Sequence, residues 1–546
     1  MVLATKQYFK INEISKENSL FSRMRVTIET AFYGNNVEII TSPKEAYKLA
    51  KNSPGTIVTS WKVYQPELLG LDKDTKVLLF NDGAVTGRYA AGRRIIGDPN
   101  IDNKKYEEIV REAVYNSRHK KMYHGISLTG LSKEFMVKNH LLIPEGHENL
   151  LYNWLLNFQY LSLEYEKMYN ESHVFNEGDI YVFADPDWKH PDYPLGLAIF
   201  DPQHNCAAIL GMRYFGEFKK GTLTLAWSIA NRNGYASCHG GLKRLKNEKT
   251  DFVAAFFGLS GSGKSTLTHA KHKNYDVTIL HDDAFIISTK DLSSIALEPS
   301  YFDKTADYPT SKEDNKYLLT IQNCGATMDE NGNIVPIMED IRNGNGRAIK
   351  SKLWSPNRVN KIDSKINAIF WLMKDPTLPP IVKIENPVLS STMGALLTTK
   401  RTSAEKLDDG VDPNALVFEP YANPFRTYPL SEDYQKFKLL FVKGVEGYIL
   451  NTGYFLDKKI PKELTISLVE KVVEGSLKWY KWFGDFYITR IEGFEPDMND
   501  INYIQSLKES FKRRIEFVKT KEVENSGKDK LPDEVLKILE ELISNI

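Results

Sequence analysis

The chain has 546 residues, 71 basic and 71 acidic side chains, and a hydrophobic content of 42%. A chain of this length is too long to fold around one ordinary hydrophobic core, and its hydrophobic content argues against a disordered chain. We therefore expect two or more globular domains. The formal net charge of zero gives no electrostatic reason for binding to nucleic acid or to a membrane surface, and we expect neither.

The cysteine content and the absence of long apolar runs indicate the cellular compartment. The three cysteines, Cys206, Cys238 and Cys324, have no CxxC spacing, which argues against a disulfide framework or a structural zinc site. No stretch reaches the roughly 18 consecutive apolar residues of a membrane span, and the N-terminus lacks the apolar core of a signal peptide. These features predict a cytoplasmic protein.

The first part of the chain alternates strand-like and helical patterns, which predicts an N-terminal α/β domain over residues 1–240. Helical periodicity predicts long helices over 103–125 and 147–172. Strands are expected at 35–42, 55–61, 76–82, 179–186, 195–201 and 206–211.

A second domain is expected over residues 241–546, and the predicted fold class of the whole chain is mixed α/β. Asn331-Gly332 within DENGNIV predicts a hairpin with a type I′ turn, which suits that dipeptide. Apolar residues at helical spacing predict packing helices over 461–483 and 533–546.

The stretch GLSGSGKST follows the apolar run DFVAAFF and precedes a helical pattern. In this context G-x-x-x-x-G-K-[ST] is typical of a nucleotide phosphate loop, because backbone N–H groups converge on phosphate oxygens at a helix N-terminus. Lys264 is expected to reach the β- and γ-phosphates and Ser265 to bind Mg²⁺. The expected nucleotide-binding residues are Gly258, Leu259, Ser260, Gly261, Ser262, Gly263, Lys264, Ser265 and Thr266.

An acidic pair ends the next apolar run, VTILHDD, as Asp282 and Asp283. Carboxylates at a strand end near a phosphate loop are suited to binding Mg²⁺ or Mn²⁺, and a solvated strand terminus is the plainer alternative. A phosphate loop alone specifies no reaction, because kinases, ATPases and GTPases all carry one.

Six motifs follow one another along the chain: TGR ending at Arg88, YFGEFKKG at 214–221, His239, GLSGSGKST, the acidic pair 282–283 and NGNGRA with Arg347. Together, and in this order, they resemble the motifs of ATP-dependent phosphoenolpyruvate carboxykinase. The resemblance spans roughly residues 76–460. It implies a two-domain fold of that family, with a P-loop nucleotide-binding C-terminal domain and an active site in the cleft between the domains.

The resemblance implies that oxaloacetate and ATP give phosphoenolpyruvate, ADP and CO₂, the gluconeogenic reaction. Loss of CO₂ leaves an enolate whose oxygen attacks the γ-phosphorus, and a divalent cation stabilises the developing negative charge. By resemblance, Mn²⁺ binds Lys220, His239 and Asp283, with Asp282 beside them, and Mg²⁺ binds Ser265. Lysine binds metal only as the neutral amine, so Lys219 would help by lowering the pKa of its neighbour.

The resemblance also assigns roles around the substrates. Arg88 would clamp a substrate carboxylate, because its planar fork suits that group, and Tyr214 would present its ring to the substrate. Lys304 would contact phosphate, and Arg401 would lie near the nucleoside. The implied catalytic residues are Arg88, Tyr214, Lys219, Lys220, Lys264 and Arg347. The segment 397–410 is expected to act as a lid.

Three segments depart from the family pattern, namely AFII after Asp283, SYFDKT and GNGR. Every proposed metal ligand is nevertheless present, which favours an active enzyme over a non-catalytic nucleotide-binding relative. A P-loop serine kinase acting on a small carrier protein is the other alternative, because it would share the loop and the acidic strand end without needing Lys220 or His239 as ligands. We expect a monomer or a small homo-oligomer.

Overall fold

A computed structural model describes residues 6, 8–81, 89–172, 177–259, 261–308, 312–339, 346–400 and 415–546. The predictions for Arg88, Ser260 and Arg401 therefore lie outside the described residues, as does most of the expected lid.

Helices and strands alternate along most of the chain. The α-helices of the described residues are α1 Arg23–Ala31, α2 Pro43–Ala50, α3 Asn103–Ser117, α4 Glu148–Asn157, α5 Leu163–Asn170, α6 Phe215–Arg232, α7 Lys264–His269, α8 Pro387–Ala395, α9 Leu430–Val442, α10 Lys462–Glu474, α11 Ile501–Val523 and α12 Asp533–Ser544. The strands are β1 Val37–Ile40, β2 Thr56–Lys62, β3 Lys76–Phe80, β4 Arg93–Ile95, β5 Met122–Ser132, β6 Phe135–Pro144, β7 Gln159–Tyr160, β8 Ile180–Asp185, β9 Leu197–Asp201, β10 Cys206–Leu210, β11 Tyr235–Lys246, β12 Asp251–Phe257, β13 Asp276–His281, β14 Ala284–Ser288, β15 Ser294–Ala296, β16 Tyr301–Lys304, β17 Leu318–Gln322, β18 Gly325–Met328, β19 Ile334–Ile337, β20 Arg347–Lys350, β21 Lys361–Ile362, β22 Ala368–Met373, β23 Ile381–Ile384, β24 Thr398–Lys400, β25 Leu416–Phe418, β26 Glu446–Asn451, β27 Tyr454–Phe455, β28 Lys458–Lys459, β29 Tyr480–Lys481 and β30 Phe486–Ile488.

Three large sheets organise the molecule. The first has the order β1-β5-β6-β8-β10-β9-β4, with β7 added to β5, and the second has the order β21-β15-β14-β11-β12-β22-β26-β23-β30-β29, with β13 added to β11. The third, β16-β20-β17-β3-β2, joins two strands from the first eighty residues to three strands that follow residue 300. The mixed α/β fold class is confirmed, and the division into domains at residue 240 stays a prediction.

The expected strands of the first 211 residues all form, but the expected helices are too long. The helix predicted over 103–125 ends at Ser117, because β5 begins at Met122 and pairs with β1 and β6. The helix predicted over 147–172 is divided into α4 and α5, since Phe158 is extended and the two-residue strand β7 follows it. In both cases pairing within the sheet overrides the local helical pattern.

Two further predictions are corrected in the C-terminal part. The helix predicted over 461–483 ends at Glu474, because Gly475 adopts a left-handed φ of 65° and the chain then enters β29. The turn between β18 and β19 is not type I′, because that type needs a positive φ at both central residues and only Gly332 has one, of 79°. The Asp329 carboxylate instead accepts the N–H groups of Asn331 and Asn333.

The buried hydrophobic residues of the described ranges form four clusters that pack against the sheets. Trp154, Trp227 and Trp371 are completely buried, and α6 lies between the first sheet and β11. Among the helices that the described ranges contain, none combines the length and the apolar character needed to cross a membrane.

Candidate active site

The carboxylate of Asp283, between β13 and β14, is the centre of a buried charged cluster. It accepts hydrogen bonds from Lys220 Nζ at 2.7 and 2.9 Å. Lys219 Nζ lies 2.7 Å from the same carboxylate, and His239 Nε2 lies 2.9 Å from its Oδ1 atom. The structure thus brings together four residues that the sequence placed at one site.

Three elements position this cluster. Lys219 and Lys220 lie in the second turn of α6, whose N-cap is the buried Tyr214. His239 lies on β11 directly opposite Ala284 of β14 in the antiparallel ladder. Because β14 begins immediately after Asp283, this register brings the histidine beside the carboxylate.

Lys219 is completely buried between two carboxylates. Its Nζ atom lies 2.7 Å from Asp283 and 2.9 Å from Glu298, which also accepts a hydrogen bond of 2.6 Å from the Asn157 amide. Burial alone would lower the pKa of the Lys219 ammonium, but the two carboxylates outweigh it and raise the pKa above its usual value. Lys219 therefore stays protonated and supplies a fixed positive charge.

The adjacent lysine has the opposite electrostatic environment. Burial, together with the charge of Lys219, lowers the pKa of Lys220 to about 8, although Asp283 opposes that shift. Its Nζ atom lies 4.9 Å from the ring centroid of Phe425 and 5.6 Å from that of Trp227. Lys220 therefore has a much larger neutral fraction near neutral pH than an ordinary lysine.

His239 is held as a neutral imidazole. Burial, and then the charges of Lys220 and Lys264, lower the pKa of His239 to about 4. Its Nδ1 atom lies 2.5 Å from the carbonyl oxygen of Ala422, which can only accept, so the proton of the neutral ring sits on Nδ1. The Nε2 lone pair then faces Asp283.

These donors fit a divalent cation. A lone pair on His239 Nε2 and a carboxylate oxygen 2.9 Å away repel each other unless a positive charge lies between or beside them. Mn²⁺ and Mg²⁺ accept both nitrogen and oxygen donors. Within the described ranges, no group of three or more His, Cys, Asp or Glu side chains could hold a metal ion. The set of donors here differs from such a group, because it consists of one lysine amine, one histidine and one carboxylate.

The two aspartates of the acidic pair face different neighbours. Asp282 Oδ2 lies 3.3 Å from His269 Nε2, at the end of α7, and not against the lysines of α6. Burial raises the pKa of Asp282, but His269, His281 and Lys264 together bring that pKa well below its usual value. Asp282 is therefore an ionised carboxylate beside the helix that follows the glycine loop.

The glycine loop joins β12 to α7, which begins at Lys264. Gly261 and Gly263 have φ values of 80° and 91°, which side chains with a Cβ atom rarely adopt, so the sequence needs glycine at both positions. Ser265 and Thr266 are exposed at the start of α7. A cavity of about 510 Å³ separates this loop from the start of α10, and its lining includes Thr266, Thr452, Lys459, Ile460 and Thr465.

Two predicted phosphate-binding residues are cross-strand neighbours in the third sheet. Lys304 on β16 lies opposite Arg347 on β20 in the antiparallel register. Arg347 is buried, and its guanidinium donates to the carbonyl oxygen of Gly346 at 2.9 Å. The structure thus places these two cations side by side.

Sequence reasoning missed several residues of the cluster. Glu298 lies two residues before the first residue of SYFDKT, and the apolar run before it is the local signal that this acid is buried. Ala422 and Phe425 contact His239 and Lys220 from a part of the chain that carries no motif. Cys238, next to His239, is a buried thiol with a pKa raised by burial, as expected for a packing residue.

Lys243 was also missed, and it holds the end of α7 against β11. Its buried ammonium donates to the carbonyl oxygen of Leu267 at 2.5 Å and to His272 Nε2 at 2.9 Å. Burial lowers the pKa of Lys243 to about 7. The lysine satisfies a carbonyl group at the helix end that would otherwise be buried without a partner.

We expect Lys243→Met to destabilise the protein by about 1–3 kcal/mol, because the Leu267 carbonyl loses its donor. At the usual unfolding entropy per residue, each kcal/mol lowers the melting temperature of a chain of this size by about 1 °C. Thermal melts of this variant and of Lys246→Met, at an exposed position of the same strand, provide the measurement. Equal melting temperatures for the two variants would contradict this role.

The sequence of this chain is similar to those of known proteins. The family model described as phosphoenolpyruvate carboxykinase matches residues 71–489. Phosphoenolpyruvate carboxykinase (ATP) of Aeropyrum pernix is 26% identical over 306 residues, covering 53% of this chain and 60% of that protein. Phosphoenolpyruvate carboxykinase (ATP) 1 of Arabidopsis thaliana is 26% identical over 312 residues, covering 54% of this chain and 44% of that protein. Phosphoenolpyruvate carboxykinase (ATP) of Zea mays is 24% identical over 519 residues, covering 87% of this chain and 72% of that protein.

Proposed function

Because this chain belongs to the phosphoenolpyruvate carboxykinase family, we propose that it converts oxaloacetate and ATP to phosphoenolpyruvate, ADP and CO₂. The observation that carries the proposal is the convergence of Lys220 and His239 on Asp283, since Lys220 Nζ lies 2.7 Å and His239 Nε2 lies 2.9 Å from the Asp283 carboxylate. Lys264 of that loop is close enough for its charge to lower the pKa of His239. The aligned parts span 60% and 44% of the first two relatives, so the activity itself is a proposal.

In this reaction the bond between the leaving carboxylate and the adjacent carbon of oxaloacetate breaks, and its electron pair forms the enolate. The enolate oxygen then attacks the γ-phosphorus, and the bond between that phosphorus and ADP breaks. A bound divalent cation supplies positive charge beside the enolate oxygen as a Lewis acid. Closure of the site would exclude the water that could otherwise protonate the enolate.

The metal ligands would be Lys220, His239 and Asp283, with Mn²⁺ as the ion. Lys220 can offer a neutral amine because its pKa is lowered, and the Ala422 carbonyl aims the His239 lone pair. Lys219 keeps its proton and balances the charge of Asp283. Ser265 and Asp282 lie near Lys264, and they would hold Mg²⁺ with the phosphates of ATP.

The remaining cations would bind the substrates. Lys264, Lys304 and Arg347 would neutralise charge on the transferring phosphoryl group. Arg88 would clamp a carboxylate of oxaloacetate, and Tyr214 would face the substrate from the start of α6. The cavity beside Thr452 is large enough for a nucleoside. Arg401 would bind near that nucleoside. A cytoplasmic location and a monomer or small homo-oligomer stay predictions.

A serine kinase acting on a small carrier protein is not favoured by the family match. The deciding assay supplies purified protein with oxaloacetate, Mn²⁺, Mg²⁺ and either ATP, GTP or diphosphate, and measures both CO₂ and phosphoenolpyruvate. We expect turnover with ATP. Release of CO₂ no faster than from oxaloacetate with metal alone would overturn the proposal.

Removal of metal is expected to abolish turnover. Dialysis against EDTA should bring CO₂ release to the background level, and Mn²⁺ should restore it, because the divalent cation would supply the positive charge that stabilises the enolate. Electron paramagnetic resonance of the added Mn²⁺ measures its binding independently of activity. Full activity in the metal-free protein would contradict the proposed site.

A further inference from the structure

A short segment from the C-terminal half covers the proposed metal site. This segment, residues 421–428, is named the roof segment. Its Ala422 carbonyl contacts His239 Nδ1 at 2.5 Å, and its Phe425 ring lies 4.9 Å from Lys220 Nζ. The Phe425 ring is also 5.6 Å from the His239 ring and stacks on Trp227 of α6. The roof segment therefore fixes the orientation of two proposed ligands.

The roof segment has an unfavourable backbone. Tyr421 and Ala422 both have a φ of 53°, in the left-handed region that residues with a Cβ atom rarely occupy. Such a conformation persists only when the surrounding structure holds it on both sides. On the N-terminal side, the Tyr421 ring stacks on Phe437 at 4.5 Å and its hydroxyl donates to the Ser391 carbonyl.

On the C-terminal side, the roof segment is held by two residues that lie beyond the part matched by the family model, which ends at 489. These residues, Lys528 and Asp529, are named the C-terminal turn. The ammonium of Lys528 donates to the carbonyl oxygen of Thr427 at 3.0 Å. The carboxylate of Asp529 accepts the N–H of Leu430 at 2.9 Å and lies 3.2 Å from the Arg426 guanidinium.

The C-terminal turn is itself anchored to distant parts of the chain. Lys528 pairs with Asp98, in the loop that follows β4, and both side chains are largely buried. Glu534 of α12 binds Lys438 and Tyr434 of α9, the helix that follows the roof segment. The roof segment also contacts α6 through a hydrogen bond, where the hydroxyl groups of Thr427 and Ser228 lie 2.6 Å apart.

We propose that Lys528 and Asp529 are positioning residues for the metal site. They hold the roof segment so that the Ala422 carbonyl fixes the His239 tautomer and the Phe425 ring encloses Lys220. Groups that orient a metal-binding side chain through hydrogen bonds or packing change the metal affinity without contacting the metal themselves. The measurement of Mn²⁺ binding described below rests on the proposed function, whereas the measurement of amide hydrogen exchange in the roof segment does not.

The test compares the double variant Lys528→Met/Asp529→Asn with Lys530→Met/Asp533→Asn. The second pair is matched, because Lys530 and Asp533 form an exposed ion pair of 3.3 Å in the same part of the chain. Full-length, metal-free protein is titrated with Mn²⁺ and followed by electron paramagnetic resonance. We expect the first variant to bind Mn²⁺ about 10-fold more weakly and the matched variant to bind as wild type.

Two further measurements separate positioning from general loss of structure. The Kd for ATP should change less than twofold, and amide hydrogen exchange should rise in the roof segment of the first variant while the second sheet stays protected. Phe425→Leu, which leaves the C-terminal turn intact, should also weaken Mn²⁺ binding. The inference would be overturned if the first variant had the same Mn²⁺ affinity and the same amide hydrogen exchange as wild type. It would also be overturned if that variant lost Mn²⁺ and ATP binding equally and hydrogen exchange rose throughout the protein.

The same data distinguish this inference from the proposed reaction. If wild-type protein binds Mn²⁺ but releases no CO₂, the proposed reaction fails while a weaker Mn²⁺ Kd in the first variant still supports the positioning role. If wild-type protein releases CO₂ and the first variant matches it in both Mn²⁺ affinity and exchange, the positioning role fails and the reaction stands.

Discussion

Lys220→Met is expected to lower CO₂ release from oxaloacetate by roughly 10²–10³-fold, the usual effect of removing one group that stabilises developing negative charge. The methionine side chain fills a similar volume between Trp227 and Phe425, so the fold should persist. It offers no amine to a metal ion, so Mn²⁺ binding should weaken in parallel. Steady-state CO₂ release and a Mn²⁺ titration are the measurements.

The same variant separates the two catalytic alternatives. In a serine kinase of the related P-loop type, Lys220 would have no part in nucleotide turnover, so the variant would consume ATP as fast as wild type. In the carboxykinase, loss of CO₂ release and loss of ATP consumption in the presence of oxaloacetate should coincide. Lys246→Met, at an exposed position of β11, is the control for charge loss and should act as wild type.

Lys219→Met is expected to cause the largest loss of stability, about 3–5 kcal/mol, because it leaves Glu298 buried without the cation that pairs with it, while Asp283 keeps Lys220. At about 1 °C for each kcal/mol in a chain of this size, the melting temperature should fall by roughly 3–5 °C. Thermal melting of the metal-free protein is the measurement.

A double-mutant cycle tests the cause. Lys219→Met/Glu298→Gln removes the Glu298 carboxylate charge together with the cation that paired with it, so the double variant should be more stable than Lys219→Met alone. Glutamine can keep a hydrogen bond with the Asn157 amide, which now donates to Glu298 at 2.6 Å. Additive effects of the two substitutions, or a melting temperature for Lys219→Met within 2 °C of wild type, would contradict the ion-pair explanation.

Most of the site's residue types were readable from sequence because their motifs are local. Lys219 and Lys220 are adjacent in one motif, Lys264 belongs to the glycine loop, and Asp283 ends an apolar run. Short-range patterns of this kind carry their own physical reason, since a loop that needs positive φ at Gly261 and Gly263 cannot use other residues. Arg88 and Arg401 were equally readable, but they lie outside the described residues.

The helix predictions failed where a distant strand competed with a local pattern. Residues 118–125 continue the helical spacing of α3, yet Met122 pairs with Val37 in the first sheet and with Pro144 of the next strand. Periodicity reports only which local conformation buries apolar side chains, and it contains no information about a partner strand elsewhere in the chain.

The sequence by itself determined the family, the mixed α/β class and the chemical types gathered for phosphate and metal binding, because motifs of a few residues fix these locally. Only the tertiary structure decided the charge state of each group. The pKa values of the neighbouring lysines diverge because Glu298, about 80 residues away in sequence, lies beside Lys219, whereas burial lowers the pKa of Lys220, beside which lies the ring of Phe425 from about 200 residues away. Electrostatic free energy depends on distances in space and on burial, and neither quantity can be read from order along the chain.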